Sequence, residues 1–578
     1  MSETISFTAE QRALIDATTS TYIEACPGAG KTQAIVQRFV ERPGSDNRRG
    51  VALLSFTNAA VDEARARCAG QPELLHAPNF VGTIDSFINR FIVGPMYLAA
   101  TGIAPTFRDT WRNVPGSTFG VQSVQGQSQL DWFKFDRMGN ATLATARVKS
   151  DRRHIVKKLP LWAVAKLEAE ASVRWKRNVA RGVMDAAASR LHAASYLVDT
   201  TKRAALTQLH ASRFVEVIVD EIQDCCEEDV QLLRFIRKAG IRLVVVGDPD
   251  QGIYEFRGAS VDGLSELRTM VNTGNRLNGN FRSSPAICTV VDSLRSIEAT
   301  DKPVGKHASV EHAVQLLSYK TPAQAHQRIV EAVAQHRIEW QDVVVLAHST
   351  SKARSCAGAG AEPKSSDSKL IALATVVHVI QDESVSARRR AEELSHLERL
   401  LQQLGEADAQ ELGEAEFLER VGLSARAYRE RVLRLATALD PPFDDAPSVF
   451  KAQLAGQTTA QQELGWSLTS IRTPSGDTWP SKPSGSVDCF TYSTIHGYKG
   501  LQSPAVALVI PDKPSGMDDD EDGVCLWSVD KSGEARNVLY VGASRAERLL
   551  MLVVHESRFE DVKITLDRDD VNYSLFTK

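Results

Sequence analysis

The chain has 578 residues, with 68 Lys and Arg against 72 Asp and Glu and a formal net charge of −4. That length predicts two to four domains, each with its own core, and the mild acidity excludes indiscriminate polyanion binding while allowing a local basic track. No apolar run approaches the roughly 20 residues of a membrane span, the N-terminus lacks the layout of a secretory signal, and eight scattered cysteines suggest neither a metal centre nor a disulfide framework; a cytoplasmic protein with no membrane partner is expected.

In chain order, the first strand candidate is the apolar Tyr22-Ile23, which runs into Ala25-Cys26-Pro27-Gly28-Ala29-Gly30-Lys31-Thr32 and then a helical stretch from Ala34. Phosphate binding needs inward backbone N–H groups on a tight loop at a helix start, a lysine for the terminal phosphates and a hydroxyl for magnesium. Gly28 and Gly30 permit the turn, Lys31 brings the charge and Thr32 the hydroxyl. A second strand at 51–56 and a helix at 59–68 continue the rhythm of a parallel sheet covered by helices.

Between about 95 and 210 that rhythm breaks, first into Gly, Ser and Gln with scattered aromatics, then into an Ala-rich helical stretch from 161 to 209. Two basic clusters fall here, Arg152-Arg153-His154 with Lys157-Lys158, and Arg174-Trp175-Lys176-Arg177. Each reads as a solvated helix face or a nucleic-acid contact, and the second, with its interleaved aromatic, is the better contact candidate. A third, Arg388-Arg389-Arg390, carries the same two readings.

The α/β pattern resumes with strands at 215–219 and 243–246, each leading into an acidic turn. Asp220 can hold magnesium through water and Glu221 can polarise an attacking water. Cys225-Cys226 read as packed thiols. A second α/β unit begins after about 276 with a strand at 343–346. It breaks into a mostly helical stretch from 351 to 486, and resumes with strands at 506–510 and 549–554. The acidic run 517–522 reads as a solvated loop.

With Gly247-Asp248-Pro249-Asp250-Gln251 downstream of the phosphate loop, these segments resemble the UvrD/Rep/PcrA group of superfamily 1A DNA helicases across both α/β units. Phe7 to Arg12 is similar to that family's Q motif, 54–60 to motif Ia, 82–87 to Ib, 247–259 to III, 277–283 to IV, 494–501 to V and 540–546 to VI. The resemblance implies two RecA-like parallel-sheet P-loop domains, each with a mostly helical insertion: 1–94 and 211–275 for the first, split by 95–210, and 276–350 and 487–578 for the second, split by 351–486. It also implies an ATP-dependent single-stranded DNA translocase and 3′–5′ helicase using ATP and Mg2+ on single-stranded and tailed duplex DNA. The alternative is a DNA-stimulated ATPase serving as a regulatory subunit without productive unwinding. A cellular role in repair, or in phage defence as in the helicase subunit of Gabija systems, follows from the same likeness.

By that resemblance Gln11 and Arg12 belong to the nucleotide pocket with Cys26, Ala29 and the rest of the phosphate loop, Phe281 stacks on adenine, and Gln502 stands at the ribose position. Gln251 senses the γ-phosphate, and Arg282 and Arg545 act as arginine fingers. Thr57, Asn58, Thr83, Tyr254, Phe256, Arg257, His496 and Lys499 form the DNA track; the lesser alternative for the two rings and His496 is buried core. The chain departs from the family pattern at Ala25, Asp85, Gln502 and Asn537. With 33 residues after Arg545, no nuclease domain is expected, and any cleavage would come from a separate nuclease subunit.

Overall fold

The computed structural model describes residues 6–576 apart from 42–47, 57, 69, 112–113, 115, 123–127, 149, 254–260, 297–298, 360–367, 384, 386, 403, 405–413, 441–446, 469–470, 472–488 and 515. Two six-stranded sheets dominate it, and every strand pair in both is parallel.

The first sheet runs Asn272–Thr273, Thr21–Glu24, Arg242–Gly247, Phe214–Val219, Gly50–Ser55, Phe80–Thr83 across its width. Its inner strands are near-continuous Val, Ile and Leu runs because helices cover both faces. The second sheet runs Thr491–Thr494, Val343–Ala347, Ser503–Ile510, Ala546–His555, Val314–Tyr319, Tyr573–Leu575. The sheets therefore follow the two α/β units expected from the sequence. Both belong to one compact unit made of residues 1–104, 189–358 and 490–578.

Local chemistry sets the element ends that matter for function. Thr8 opens the first helix, Ala9–Asp16, with a capping box: its side chain accepts from the Gln11 N–H, while Gln11 Oε1 accepts from the Thr8 N–H. Thr83 caps the helix Ile84–Ile88 by accepting from the Ser86 N–H. The helix Glu227–Lys238 starts with three acids and ends with two bases, matching its dipole. Beneath the sheet, Arg38 forks onto Glu216 at 2.8 Å through two nitrogens, and Arg242 joins the same carboxylate at 2.9 Å.

The other compact unit comprises residues 105–188 and 359–489. Its first part is less helical than the composition suggested. Two short strand pairs precede the long helix Leu161–Ala180, Thr118–Phe119 with Ser128–Gln129 and Phe133–Phe135 with Ala141–Leu143, and a third, Thr106–Arg108 with Val183–Asp185, joins the segments on either side of it. The aromatics scattered through 111–135 are the core of this part, with Trp111, Phe119, Trp132 and Phe133 all buried.

Trp175, the aromatic of the better contact candidate, belongs to that core as well. It is buried and stacked on Phe135 at 5.2 Å, and Gly139, at φ +72°, clears room for its ring, since a Cβ there would lie 2.6 Å from it. The basic neighbours misled the sequence reading because the helix turns Trp175 inward while Arg174 reaches out to Glu170. The second part is helical, closed around Leu401, Val432, Phe450 and Leu454. The acidic run is also not simply solvated: Asp522 caps Gly523–Ser528 through the Cys525 N–H at 2.8 Å and pairs with Arg558 at 2.6 Å.

Candidate nucleotide and strand site

In an open parallel sheet, the C-terminal strand ends form the ligand-binding rim. The phosphate loop follows Thr21–Glu24, Asp220 follows Phe214–Val219, and Asp248 follows Arg242–Gly247. Gly28 and Gly30 take φ of +70° and +68°, conformations that a side chain would oppose. At Gly28 a Cβ would also lie 2.6 Å from atoms of Asn280 and Arg282, so this turn is packed directly against the start of the second α/β unit. Its carbonyls are occupied: the Ala29 N–H donates to Cys26 O, the Phe281 N–H to Gly28 O, and Gln11 Nε2 to Ala29 O at 2.9 Å. The loop leads into Lys31–Glu41, whose N-terminal amides and dipole favour an anion. Gln11 thus braces the loop, while Arg12 turns away from it into a fork with Asp16 and Glu41.

The acids sit in a buried setting with opposite consequences. Burial first, and the adjacent Glu221 carboxylate second, raise the Asp220 carboxyl. Burial opposes charge on Glu221 too, but the Lys31 and Lys499 cations and a hydrogen bond from Gln223 outweigh it and lower that carboxyl. Glu221 holds a left-handed φ of 57°, an uncommon conformation for a non-glycine residue that here aims the carboxylate beside Gln223. Thr32 Oγ1 and Asp220 Oδ2 stand 3.4 Å apart. This pair of hard oxygens suits magnesium, which takes one or two protein oxygens and completes its shell with phosphates and water. Among the described residues no group of three or more His, Cys, Asp or Glu could hold a metal.

The segment 248–253 is gripped residue by residue from the second α/β unit. Tyr540 donates to Asp248 at 2.8 Å, the Ser296 N–H donates to Asp250 at 3.1 Å, and Arg545 donates to Gln251 Oε1 at 3.0 Å. Asn537 donates to the Gly252 carbonyl, His496 Nε2 lies 3.1 Å from the Ile253 carbonyl, and the Ile253 side chain is part of the second unit's core. Asn537, a departure from the family pattern, therefore contacts this segment. Arg545 is pushed down to about 9, by burial first and the neighbouring Arg282 second, and keeps its charge at neutral pH. Arg282 donates to Gln502 at 2.7 Å and to the Ser544 carbonyl at 3.0 Å.

Lys499, expected on the DNA track, lies instead on the nucleotide side. Its ammonium is 2.6 and 2.7 Å from the Asp224 oxygens and donates to the Gln251 carbonyl at 2.7 Å. A buried ammonium requires such a counter-ion, and the sequence did not say which way this loop turns. Gln502 receives Arg282, and Phe281 is partly exposed beside the phosphate loop. Thr83 stands at its strand end as a helix cap. Thr57, Tyr254, Phe256 and Arg257 lie outside the described residues, as does the side chain of Asn58. Asp85 pairs with Arg190 at 2.7 Å, which also reaches Asp229 at 2.8 Å. This link between the strand-end helix and the helix following the acids gave no sequence signal.

Residues 7–272 match the UvrD/REP helicase N-terminal domain. Over that stretch the chain is UvrD-like. It is 25% identical over 266 residues to Gabija protein GajB of Bacillus cereus, covering 45% of this chain and 43% of that one. RecBCD enzyme subunit RecB of Escherichia coli is 33% identical over 87 residues, 15% of this chain and 7% of the relative. DNA helicase II of Haemophilus influenzae is 29% identical over 94 residues, 16% and 13% of the two chains. The matched stretches thus span less than half the length of these curated relatives. A crystal structure of the Arterivirus nonstructural protein 10 helicase aligns with 96% of this chain and 63% of its own at 12% identity, with a TM-score of 0.29, a likeness too slight to carry an argument. The phosphate loop, both acids and Gln251 all fall within the UvrD-like stretch.

Proposed function

We propose that the chain is a DNA-dependent ATPase that moves along single-stranded DNA and unwinds duplexes with 3′–5′ polarity. The observation that carries this reading is the grip on 248–253. It puts Arg545 on Gln251 and Lys499 on Asp224, so that groups from both sheets surround one phosphate-binding loop. A small-molecule kinase or simple GTPase has no need of that second set of cations.

In this reading the phosphate-loop amides and Lys31 bind the β- and γ-phosphates, and Thr32 and Asp220 hold magnesium, which neutralises phosphate charge. Glu221, charged and steadied by Gln223, accepts a proton from the water whose oxygen attacks the γ-phosphorus. The bond to the bridging oxygen breaks, and ADP leaves with that oxygen. Arg282 and Arg545 stabilise charge on the transferring phosphoryl group. Loss of the γ-phosphate frees Gln251 and Arg545 to rearrange, and 248–253 transmits that change toward Tyr254, Phe256 and Arg257, proposed to grip the strand with Thr57, Asn58, Thr83 and His496.

A strand-displacement assay with 3′-tailed, 5′-tailed and blunt duplexes tests this directly. Unwinding of the 3′-tailed substrate alone, dependent on ATP and Glu221, supports it; unwinding from a 5′ tail refutes the polarity. The similarity to GajB and to a subunit of the RecBCD enzyme favours a second reading, a DNA-stimulated ATPase working within a larger assembly, with a separate nuclease as partner. That reading predicts strand-stimulated hydrolysis without displacement on any tail.

A further inference from the structure

The two basic clusters in residues 105–188 have opposite fates. The one at 174–177 sends its tryptophan into the core, as described above. The other, at 152–158, is followed at 162 by a tryptophan that stays outside. Trp162 is 52% exposed, the only tryptophan among the described residues that is exposed, with Trp111, Trp132, Trp175, Trp466 and Trp527 all buried. Leu161 beside it is 88% exposed and Ile155 49%. An indole is a large apolar surface to leave in water, and a cluster of such residues marks a contact site more often than a single exposed leucine does.

The surrounding charge says what kind of contact. From 152 to 167 the sequence carries Arg152, Arg153, Lys157, Lys158 and Lys166 and no acid, although the chain as a whole is acidic. Lys157, Lys158 and Lys166 are exposed, and no ion pair ties any of them to a carboxylate among the described residues. Arg174, by contrast, is neutralised by Glu170. Lys166 lies over the Trp162 ring at 5.3 Å from its centroid, which steadies the indole while half of the residue stays exposed. The turn that presents Trp162 is fixed by Pro160, whose carbonyl accepts from the Ala163 N–H at 2.9 Å as the helix Leu161–Ala180 begins.

We infer that Trp162, with Lys157, Lys158 and Lys166, forms a second single-stranded nucleic-acid contact, separate from the track at the strand ends of the two sheets. Trp162 stacks on an exposed base, and the three lysines take the flanking phosphates. An aromatic platform set among unpaired cations is the general means of holding a strand without reading its sequence. A lipid surface would call for a broader apolar face, and an acidic protein would leave the exposed indole without a matching partner. The inference rests on the strand-binding function proposed above.

The test is fluorescence anisotropy of the full chain on a labelled oligothymidylate at several salt concentrations, alongside strand-free ATP hydrolysis. W162A should weaken binding about 5- to 150-fold, the range for loss of one stacked base at 1–3 kcal/mol and 1.4 kcal/mol per tenfold. W162F should recover most of it. The triple variant K157E/K158E/K166E should weaken binding further and flatten the salt dependence by about 2 in log–log slope, at about 0.7 per phosphate contact. Strand-free hydrolysis should be unchanged in all three, because none touches the nucleotide site. Indole emission quenched by the oligonucleotide in the wild type, and less so in W162F, would place the base on this ring. Wild-type affinity and salt slope in both W162A and the triple variant would overturn the inference and leave the motor reading standing. A wild-type chain that binds no oligonucleotide would refute both.

Discussion

The two sheets are alike in architecture and opposite in what they bring to the cleft. The first supplies Asp220, Glu221, Asp224, Asp248 and Asp250 against a single lysine, Lys31. The second supplies Arg282, Lys499 and Arg545, with Tyr540 and Ser296 as neutral donors, while its Arg295, 3.8 Å from Asp250, is already paired with Asp292 and Asp301 of its own unit. Buried carboxylates without partners are costly, as are buried cations, so neither rim is electrostatically complete alone. Each becomes so against the other, which ties assembly of the catalytic charges to apposition of the sheets. The division also bears on why Asp220 and Glu221, adjacent in the chain, shift in opposite directions: Lys31 of the first sheet, joined by Lys499 and Arg545 of the second, outweighs burial at Glu221, while Asp220 feels mainly its burial and its neighbour.

Removing charge from the acidic side should have the largest effect. Lys31→Ala should abolish hydrolysis, and Glu221→Gln should abolish turnover while retaining nucleotide binding, read by titration with a fluorescent ATP analogue. Normal turnover in either variant would undo the assignment of the acidic rim. On the basic side, Arg545→Ala and Arg282→Ala should each lower kcat by a factor of about 10³ or more, with ATP affinity much less changed. If Arg282→Ala keeps wild-type turnover, Arg282 serves only to position Gln502 and the Ser544 carbonyl, and the finger role passes to Arg545 alone.

A pH series sharpens the contrast between the two acids. Asp220 is raised by folding, so its contribution to stability is full below the ordinary carboxylate range and is lost as pH rises through its folded titration. Glu221 is lowered, and its contribution is lost only as pH falls through its own, more acidic titration. From the ordinary carboxylate range up to about 7, where the raised Asp220 titrates, protein in chelator should therefore lose this contribution to its stability with rising pH. Asp220→Asn should flatten that slope, and magnesium with nucleotide should reverse it, because cation and proton compete for one carboxylate. A chelated wild type that gains stability over this range, relative to Asp220→Asn, would contradict the raised Asp220.

The smallest effect is expected from Tyr540→Phe, which leaves the ring in place and removes only the bridge from its hydroxyl to Asp248 and Arg295. Loss of a buried hydrogen bond to a charged group costs about 1.5–3 kcal/mol, visible in denaturant unfolding. Unchanged stability would mean that the apposition of the sheets does not depend on this bond.

Much of this arrangement was legible in the sequence because phosphate chemistry demands fixed residue types at fixed spacing. Gly28, Gly30, Lys31 and Thr32 at a strand end, and two acids at another, declare the site and its parallel sheet. What stayed hidden was orientation. Arg12 stands beside a pocket residue but finds carboxylates on its own helix face and on Glu41. Lys499 turns inward because Asp224, far away in sequence, lies within reach. Trp175 and Trp162 carry similar basic neighbours, and only packing against Phe135 separates the core residue from the exposed one. The bond from Ser296 to Asp250 and the Arg190 bridge join distant segments and leave no local trace.

The strand order of the first sheet has a consequence for how the chain emerges from a ribosome. Thr21–Glu24, which carries the phosphate loop, pairs only with Arg242–Gly247 and Asn272–Thr273, so its partners are made some two hundred residues later. At a synthesis rate of about 5–20 residues per second, it spends roughly ten seconds or more with both edges unpaired. Gly50–Ser55 and Phe80–Thr83 can pair with each other much sooner, but they cannot join the P-loop strand until Phe214–Val219 and Arg242–Gly247 arrive between them. During that interval the nascent chain holds an incomplete sheet, and the nucleotide site is among the last features of its domain to form.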